Sequence, residues 1–181
     1  MKLSFSTKGW HNVGFEEFCE IAETLKFRGI ELHNVNSAMF TDKSGAFQDY
    51  SAASTLRLLY DKKLSIPCID IISDITVTSE AEKADKEAER CFEIAQFLHV
   101  PYIRLKTRID NEQGKECAEE FIKNILPKAE DAGVTLLLET AGLYRDTAVL
   151  RDTLDSFASD SLGALWNISE AYTQEIGRAH V

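Results

Sequence analysis

The 181 residues carry thirty Asp and Glu against twenty Lys and Arg, a formal net charge of −10 with a pI near 4.9. Such a surface repels a phosphate backbone and argues against a general nucleic-acid binder. Hydrophobic residues at 44% and charged residues at 28% are the mix of a folded core with a solvated skin, which excludes a disordered or fibrous chain, and no apolar run approaches the roughly 20 residues that cross a bilayer.

In chain order, a first short apolar run at residues 3–6 precedes a helical stripe of Phe15, Phe18, Ile21, Ala22 and Leu25. Further runs lie at 30–33 and 65–70. Ser79 with Glu82 is expected to form a capping box opening a helix striped by Ala84, Ala88, Cys91, Ala95 and Leu98, with residues 80–90 as its solvated charged face. After a fourth run at 102–106, the stripe Cys117, Phe121, Ile125 and Ala129 ends at Gly133, a helix stop. The fifth run spans 134–139. Asp146 then suits the N-cap of a helix carrying Leu150, Leu154 and Phe157, and a sixth run covers 162–167. The cysteines Cys19, Cys68, Cys91 and Cys117 form no CxxC pair and read as reduced, mostly buried small hydrophobes.

Strand–helix alternation throughout predicts an α/β chain with a parallel sheet and right-handed crossovers. One unit takes roughly 32 residues, so eight would need about 256, the usual size of a (β/α)8 TIM barrel; nearly six are present. No GxGxxG follows the first run and no GxxxxGK[ST] occurs, which makes an open nucleotide-binding sheet the lesser alternative. Residues 175–181 (EIGRAHV) resemble the translation of a short-read sequencing adapter and do not extend the rhythm. The expectation is therefore a TIM barrel truncated after about six strands over residues 1–174, followed by a non-native tail, and His180 carries no functional weight. The first and sixth strands of an unfinished barrel are open edges that invite aggregation or a homo-oligomer. Residues 1–6 are too short and polar for a signal peptide, so a cytoplasmic location with no membrane partner is expected.

Polar side chains gather where the runs end: Glu31 and His33, Asp70, Arg104 and Lys106, Glu139, and Asn167. In parallel α/β folds the carboxyl ends of the strands form the binding face. A carboxylate after Leu136-Leu137-Leu138 is costly to desolvate unless it meets a cation, a donor or a metal, which makes Glu139 the sharpest signal. The blander alternatives are a helix cap or an ion pair for Glu139, a backbone contact for His33, and neutralisation of Glu139 or Asp70 by Arg104 and Lys106. Those two cations equally suit an anionic substrate. His99 lies at a helix-to-strand joint on the opposite face, where stability is the better assignment.

The segments LSFS (3–6), GIELH (29–33), VPYIR (100–104) and AGVTLLLET (132–140) together resemble the sugar phosphate isomerase/epimerase family, with its xylose isomerase-like TIM barrel. The resemblance implies a divalent metal (Mn, Mg, Co or Zn) at the C-terminal face, held by a Glu ending strand five, an Asp ending strand six, a His ending strand seven and a Glu ending strand eight. Glu139 matches the first ligand. The family's Trp-Asp-x-x-His reads here Trp166-Asn167-Ile168-Ser169-Glu170, so Asn167, an uncharged oxygen donor, stands for the second ligand and Glu170 for a substrate-binding His. The loop after strand five, Tyr144-Arg145-Asp146, lacks the second glutamate of the family's epimerases. The function implied is a metal-dependent isomerase or epimerase of small sugars or sugar phosphates. Its metal is held by Glu139 and Asn167, its sugar or polyol substrate is contacted by His33, Arg104, Lys106 and Glu170, and the truncated chain itself is expected to be inactive. The alternatives are a polyol or inosose dehydratase-type lyase on the same barrel, or a sugar-binding protein that has lost its metal. The related branch that cuts DNA at abasic sites with three zincs is disfavoured by too few histidines and by the acidity.

Overall fold

The computed structural model describes residues 2–10, 13–41, 45–48 and 50–173; His11, His180 and the whole segment 175–181 lie outside the described residues. Six strands alternate with helices: β1 (Ser4–Ser6), α1 (Phe15–Thr24), β2 (Gly29–His33), α2 (Ala38–Thr41), α3 (Ala52–Asp61), β3 (Cys68–Asp74), α4 (Ala81–Leu98), β4 (Tyr102–Lys106), α5 (Glu112–Ala132), β5 (Thr135–Glu139), α6 (Thr147–Phe157), β6 (Leu162–Leu165) and α7 (Ile168–Thr173). Every pairing is parallel and the spatial order is the chain order, β1 to β6. A doubly wound sheet must reverse its strand order at a switch point. This sheet has no reversal, so it is the wall of a (β/α)8 barrel, with six of the eight βα units present.

The period of two along each strand sorts the side chains into two environments. One set, Ile30, Leu32, Ile69, Ile71, Ile103, Leu105, Leu136 and Leu138, is 0–1% exposed and packs outward against the helices. Each such side chain contributes about 1.5–3 kcal/mol when fully buried. The helices answer with the stripes expected from sequence, including Phe18 and Ala22 on α1, Ala84, Ala88, Cys91 and Ala95 on α4, and Ala118, Ile122, Ile125 and Ala129 on α5, all buried. The small residues of α4 bring that helix close against β3. The alternate set, Glu31, His33, Asp70, Arg104, Lys106 and Glu139, faces the lumen.

Helix ends follow local chemistry. Gly133 closes α5 in the left-handed region (φ 66°), and the Asp146 carboxylate accepts from Ala148 N–H at 2.8 Å to cap α6. The Ser79–Glu82 capping box does not form. A 3₁₀ turn at Thr78–Glu80 leads into α4 without a side-chain cap, and Glu82 pairs with Lys86 instead (2.6 Å).

Two further expectations are corrected. The third strand is Cys68–Asp74, not 65–70: Pro67 has no N–H to give the ladder, and Ser65 makes only an isolated bridge to Gly29. Asp70 consequently lies inside the strand. The charged face of α4 is not wholly solvated either, because Glu87 is 1% exposed. Asp70 pairs with Arg104 and Asp74 with Lys106, so β3 advances four residues while β4 advances two. The N–H groups displaced from the ladder are taken by side chains: Glu87 Oε2 accepts from Ser73 (2.9 Å) and Glu80 Oε2 from Asp74 (2.7 Å). Buried backbone donors require partners, and these two glutamates supply them.

All four cysteines are free; Cys19, Cys68 and Cys91 are buried and Cys117 is half-exposed. Burial pushes the Cys19 and Cys68 thiols up to about 12 and raises that of Cys91 well above its ordinary value. The thiolate is the reactive form, so iodoacetamide at neutral pH is expected to label Cys117 alone in the native protein and all four cysteines after denaturation; rapid native labelling of Cys68 contradicts this packing.

Candidate functional site

The lumen side chains join into a continuous row across five strands. His33, last residue of β2, places Nδ1 3.0 Å from Asp70 Oδ2, while its backbone N–H donates to Thr7 Oγ1 at 2.9 Å. Arg104 Nη2 donates to the same Asp70 oxygen, and Arg104 Nη1 lies 3.8 Å from Glu139 Oε1. Asn167 Nδ2 donates to Glu139 Oε1 at 2.9 Å. Below the row, Ser4 Oγ donates to Glu31 Oε1 at 2.9 Å. Asp70 is the best shielded member, its side chain 4% exposed, whereas His33, Arg104 and Glu139 remain open to the lumen at 22–27%. A cavity of about 320 Å³ extends beneath, lined by Glu31, Cys68, Tyr102, Arg104, Leu137 and Leu165 among others.

Arg104 is the electrostatic centre of the row. A guanidinium reaching two carboxylates uses both arms of its planar fork; burial works against its charge, but Asp70 and then Glu139 together outweigh it and hold the proton more firmly than in a free arginine. Asp70 Oδ1 is buried without a hydrogen-bond partner, so the charge of this side chain rests on Oδ2 and its two donors.

The residues expected from sequence separate into two groups. His33, Arg104, Glu139 and Asn167 meet in the row. Lys106 and Glu170 do not join it. Lys106 Nζ donates to the Ile72 carbonyl oxygen at 3.1 Å, and the Glu170 carboxylate lies 4.0 Å from Arg145 Nε. Asn167 follows β6, which ends at Leu165, and its Oδ1 accepts from Glu170 N–H at 3.1 Å, the geometry of an N-cap on α7. Asp70, named from sequence as a strand end and as a carboxylate that Arg104 or Lys106 could neutralise, is paired with Arg104 and links it to His33. Counting by two along Cys68-Ile69-Asp70, in register with Ile103-Arg104, carries that signal.

The fit to a divalent cation is partial. Glu139 and Asn167 are two oxygen-bearing side chains in contact, the donor type hard cations take. The Asn167 amide, however, turns its N–H₂ to Glu139 and engages its oxygen as a helix cap. Among the described residues no cluster of three or more His, Cys, Asp and Glu side chains has metal-holding geometry.

The loop after β5 keeps Glu139 in place. Gly142 adopts φ +55°, and a Cβ there would stand 2.1 Å from the Thr107 carbonyl oxygen. The neighbouring Thr107 hydroxyl donates to the Ala141 carbonyl oxygen at 3.1 Å. Gly142→Ala therefore combines about 1–2 kcal/mol of left-handed backbone strain with a backbone clash, and a fall in urea midpoint at unchanged m-value is expected; a midpoint equal to wild type contradicts it.

No helix among the described residues is long and apolar enough to cross a membrane. No curated protein matches the sequence. Solved structures do. The probable 3-DHS dehydratase AsbF involved in petrobactin synthesis from Bacillus anthracis aligns at 19% identity and TM-score 0.79 over 97% of this chain and 66% of that one. A xylose isomerase domain containing protein from Salmonella typhimurium LT2 aligns at 17% and 0.74 over 95% and 62%. D-psicose 3-epimerase from Clostridium cellulolyticum H10, solved with D-tagatose, aligns at 13% and 0.75 over 100% and 67%. At these identities the likeness is one of fold, and this chain spans about two thirds of the length of those structures. Residues 19–179 match the family model for this barrel, and with the unreversed parallel strand order the match shows that the chain belongs to the xylose isomerase-like TIM barrel family.

Proposed function

We propose that these residues belong to a metal-dependent isomerase or epimerase of small sugars or sugar phosphates, its activity residing in an eight-stranded barrel of which residues 1–174 supply six units. The observation that carries the reading is the row His33–Asp70–Arg104–Glu139–Asn167 across the lumen side from β2 to β6, donors and acceptors in the pattern a polyhydroxylated ligand requires. Glu139 and Asn167 would hold the cation. When bound, it polarises a carbonyl and acidifies the neighbouring C–H. With Nδ1–H given to Asp70, the other ring nitrogen of His33 is left to accept a substrate hydroxyl. Arg104 holds Asp70 and Glu139 in place and offers its fork to a carbonyl or phosphate oxygen. Lys106 and Glu170 stand at the rim, where they would contact the far end of the substrate. A chain with two of the four expected metal positions is expected to bind without turnover. Two neighbouring folds are consistent with this class, a sugar phosphate isomerase/epimerase from Parabacteroides distasonis ATCC 8503 and a xylose isomerase-like TIM barrel protein from Mycobacterium smegmatis in complex with magnesium.

A dehydratase-type lyase on polyols is the second reading. The turn Gly142–Arg145 places no carboxylate beside Glu139, which favours chemistry with one proton-moving group over a two-glutamate epimerase. The test is a panel of aldoses, ketoses and inososes assayed with Mn²⁺, Mg²⁺, Co²⁺ and Zn²⁺ on an eight-stranded protein carrying these residues. Chelator-sensitive interconversion of sugars is expected, with Glu139→Gln losing at least about 10²-fold, the lower range of acid–base and charge contributions. Loss of water from the substrate selects the lyase, and turnover indifferent to chelation defeats both.

A further inference from the structure

The two ring nitrogens of His33 meet different surroundings. Nδ1 lies 3.0 Å from Asp70 Oδ2, at the position of β3 paired in register with its own. Nε2 has no hydrogen-bond partner among the described residues, and the side chain is 27% exposed at the lumen. Which nitrogen holds the proton follows from Asp70. Arg104 can only donate, and it donates to Asp70 Oδ2, while Oδ1 is buried with no partner to receive a proton. Asp70 therefore presents a carboxylate, Nδ1 brings the hydrogen, and the lone pair of the neutral ring lies on Nε2. The pose is fixed from behind as well. The His33 N–H donates to Thr7 Oγ1 at 2.9 Å; Thr7 is buried, and its own N–H donates to the Glu31 carbonyl oxygen at 2.9 Å. The other lumen groups of the row are less suited to taking a proton. Glu139 Oε1 accepts from the Asn167 amide and faces Arg104, and a carboxylate that holds a cation has to stay deprotonated. Arg104 has no lone pair to offer.

We infer that His33 is the catalytic residue that takes the proton from carbon at this site, with Asp70 as its positioning residue. The inference deepens the function proposed above and rests on it for the substrate class, carbonyl compounds that carry a neighbouring hydroxyl. Nε2 accepts the proton of the C–H beside the carbonyl. The electron pair of that bond becomes a carbon–carbon double bond, and the carbonyl π pair moves onto its oxygen, a developing charge of the sign that Arg104 attracts. Asp70 faces the transient imidazolium with the opposite charge. Return of the proton to the former carbonyl carbon, as the hydroxyl proton passes to the charged oxygen, moves the carbonyl by one carbon. Return of it to a departing β-hydroxyl releases water instead. In both cases His33 ends neutral and no outside oxidant or reductant takes part.

The test runs on the 181-residue chain with EDTA present throughout. Dihydroxyacetone in D₂O is the probe, and exchange of its carbon-bound hydrogens for deuterium, followed by proton NMR, reports proton abstraction alone. The chain is expected to exchange at least about ten-fold faster than 4-methylimidazole at equal concentration, below the usual range for a positioned base. Diethyl pyrocarbonate is expected to abolish that gain in step with acylation of His33, mapped by peptide mass. Hydroxylamine, which frees acylated imidazole but not acylated lysine, is expected to restore it. Long-range ¹H–¹⁵N correlation is expected to show the neutral His33 ring in its Nδ1–H form. Asp70→Asn, whose amide can turn either face to the ring, is expected to lose that single tautomer and the exchange with it, and His33→Gln to lose the exchange outright. Exchange no faster than free imidazole, exchange that survives acylation of His33, or a wild-type ring in the Nε2–H form overturns the inference. These three readings are taken on the wild-type protein and decide the matter even where a variant fails to fold. With chelator present, failure here leaves the metal-dependent reading standing, whereas exchange here without sugar interconversion in the metal assay faults that reading and not this one.

Discussion

Arg104→Met is expected to cost about 3–5 kcal/mol of folding stability, the range for removing one partner of a buried ion pair. The loss comes from what stays behind. Asp70 has 4% of its side chain exposed, Oδ1 without a partner, and Oδ2 dependent on Arg104 and His33. Without the guanidinium, a carboxylate shut away from water keeps one imidazole donor, and Glu139 loses the cation 3.8 Å away. The interaction is not itself worth that amount, because desolvating both charges offsets most of their attraction. The double variant Asp70→Asn/Arg104→Met, with both charges gone, is accordingly expected to recover most of the loss. Arg104→Lys should fall between, since a single ammonium cannot replace the two-armed fork. Urea unfolding of these proteins together with the Asp70→Asn single variant completes the cycle and gives the coupling directly. A single variant within 1 kcal/mol of wild type, or a double variant no better than the single, removes Arg104 from the centre of the row.

What the sequence disclosed of this row follows from which interactions are local. Run 102–106 coincides with β4 because Tyr102-Ile103-Arg104-Leu105-Lys106 alternates strictly and both Ile103 and Leu105 are fully buried. Glu139 was legible for the same reason, a carboxylate closing an apolar run. The third strand starts later than its apolar run, because the stretch on either side of Pro67 is continuous in sequence while the ladder begins only beyond it. The role of Glu87 was invisible from its own surroundings in a charge-rich helix. Its burial depends on an irregularity in β3, fourteen residues earlier, that frees the Ser73 N–H. Helices α2 and α3 between the second and third strands carry a weaker sequence signal, as neither presents the long apolar stripe seen on α4 and α5. Asp70 falls between these cases: its identity and strand were readable, but its partnership with both His33 and Arg104 required the register of three neighbouring strands.

Asn167→Asp is expected to weaken the ligand-free protein and to make its stability respond to metal. In the present structure the Asn167 amide gives Glu139 Oε1 a hydrogen bond at 2.9 Å. An aspartate there has no donor and sets a second carboxylate against the first, which like charges at that spacing resist. The cost expected is about 1 kcal/mol, that of a hydrogen bond lost at an acceptor still open to the lumen. The helix end is not the cause, because Asp caps as well as Asn and can still accept from Glu170 N–H. The same pair of carboxylates is a better hard-cation site than carboxylate plus carboxamide, since charge count tunes affinity. Mn²⁺ at a hundred times its dissociation constant should return about 2.7 kcal/mol to Asn167→Asp, with a markedly smaller response in wild type at the same concentration. Asn167→Ala serves as control, losing both the cap and the contact with Glu139 and gaining no metal response. Thermal unfolding of the three proteins with and without Mn²⁺ measures these terms. If Asn167→Asp unfolds as wild type does and ignores the ion, then Glu139 and residue 167 do not form the beginning of a cation site, and Asn167 belongs to α7 as its cap alone.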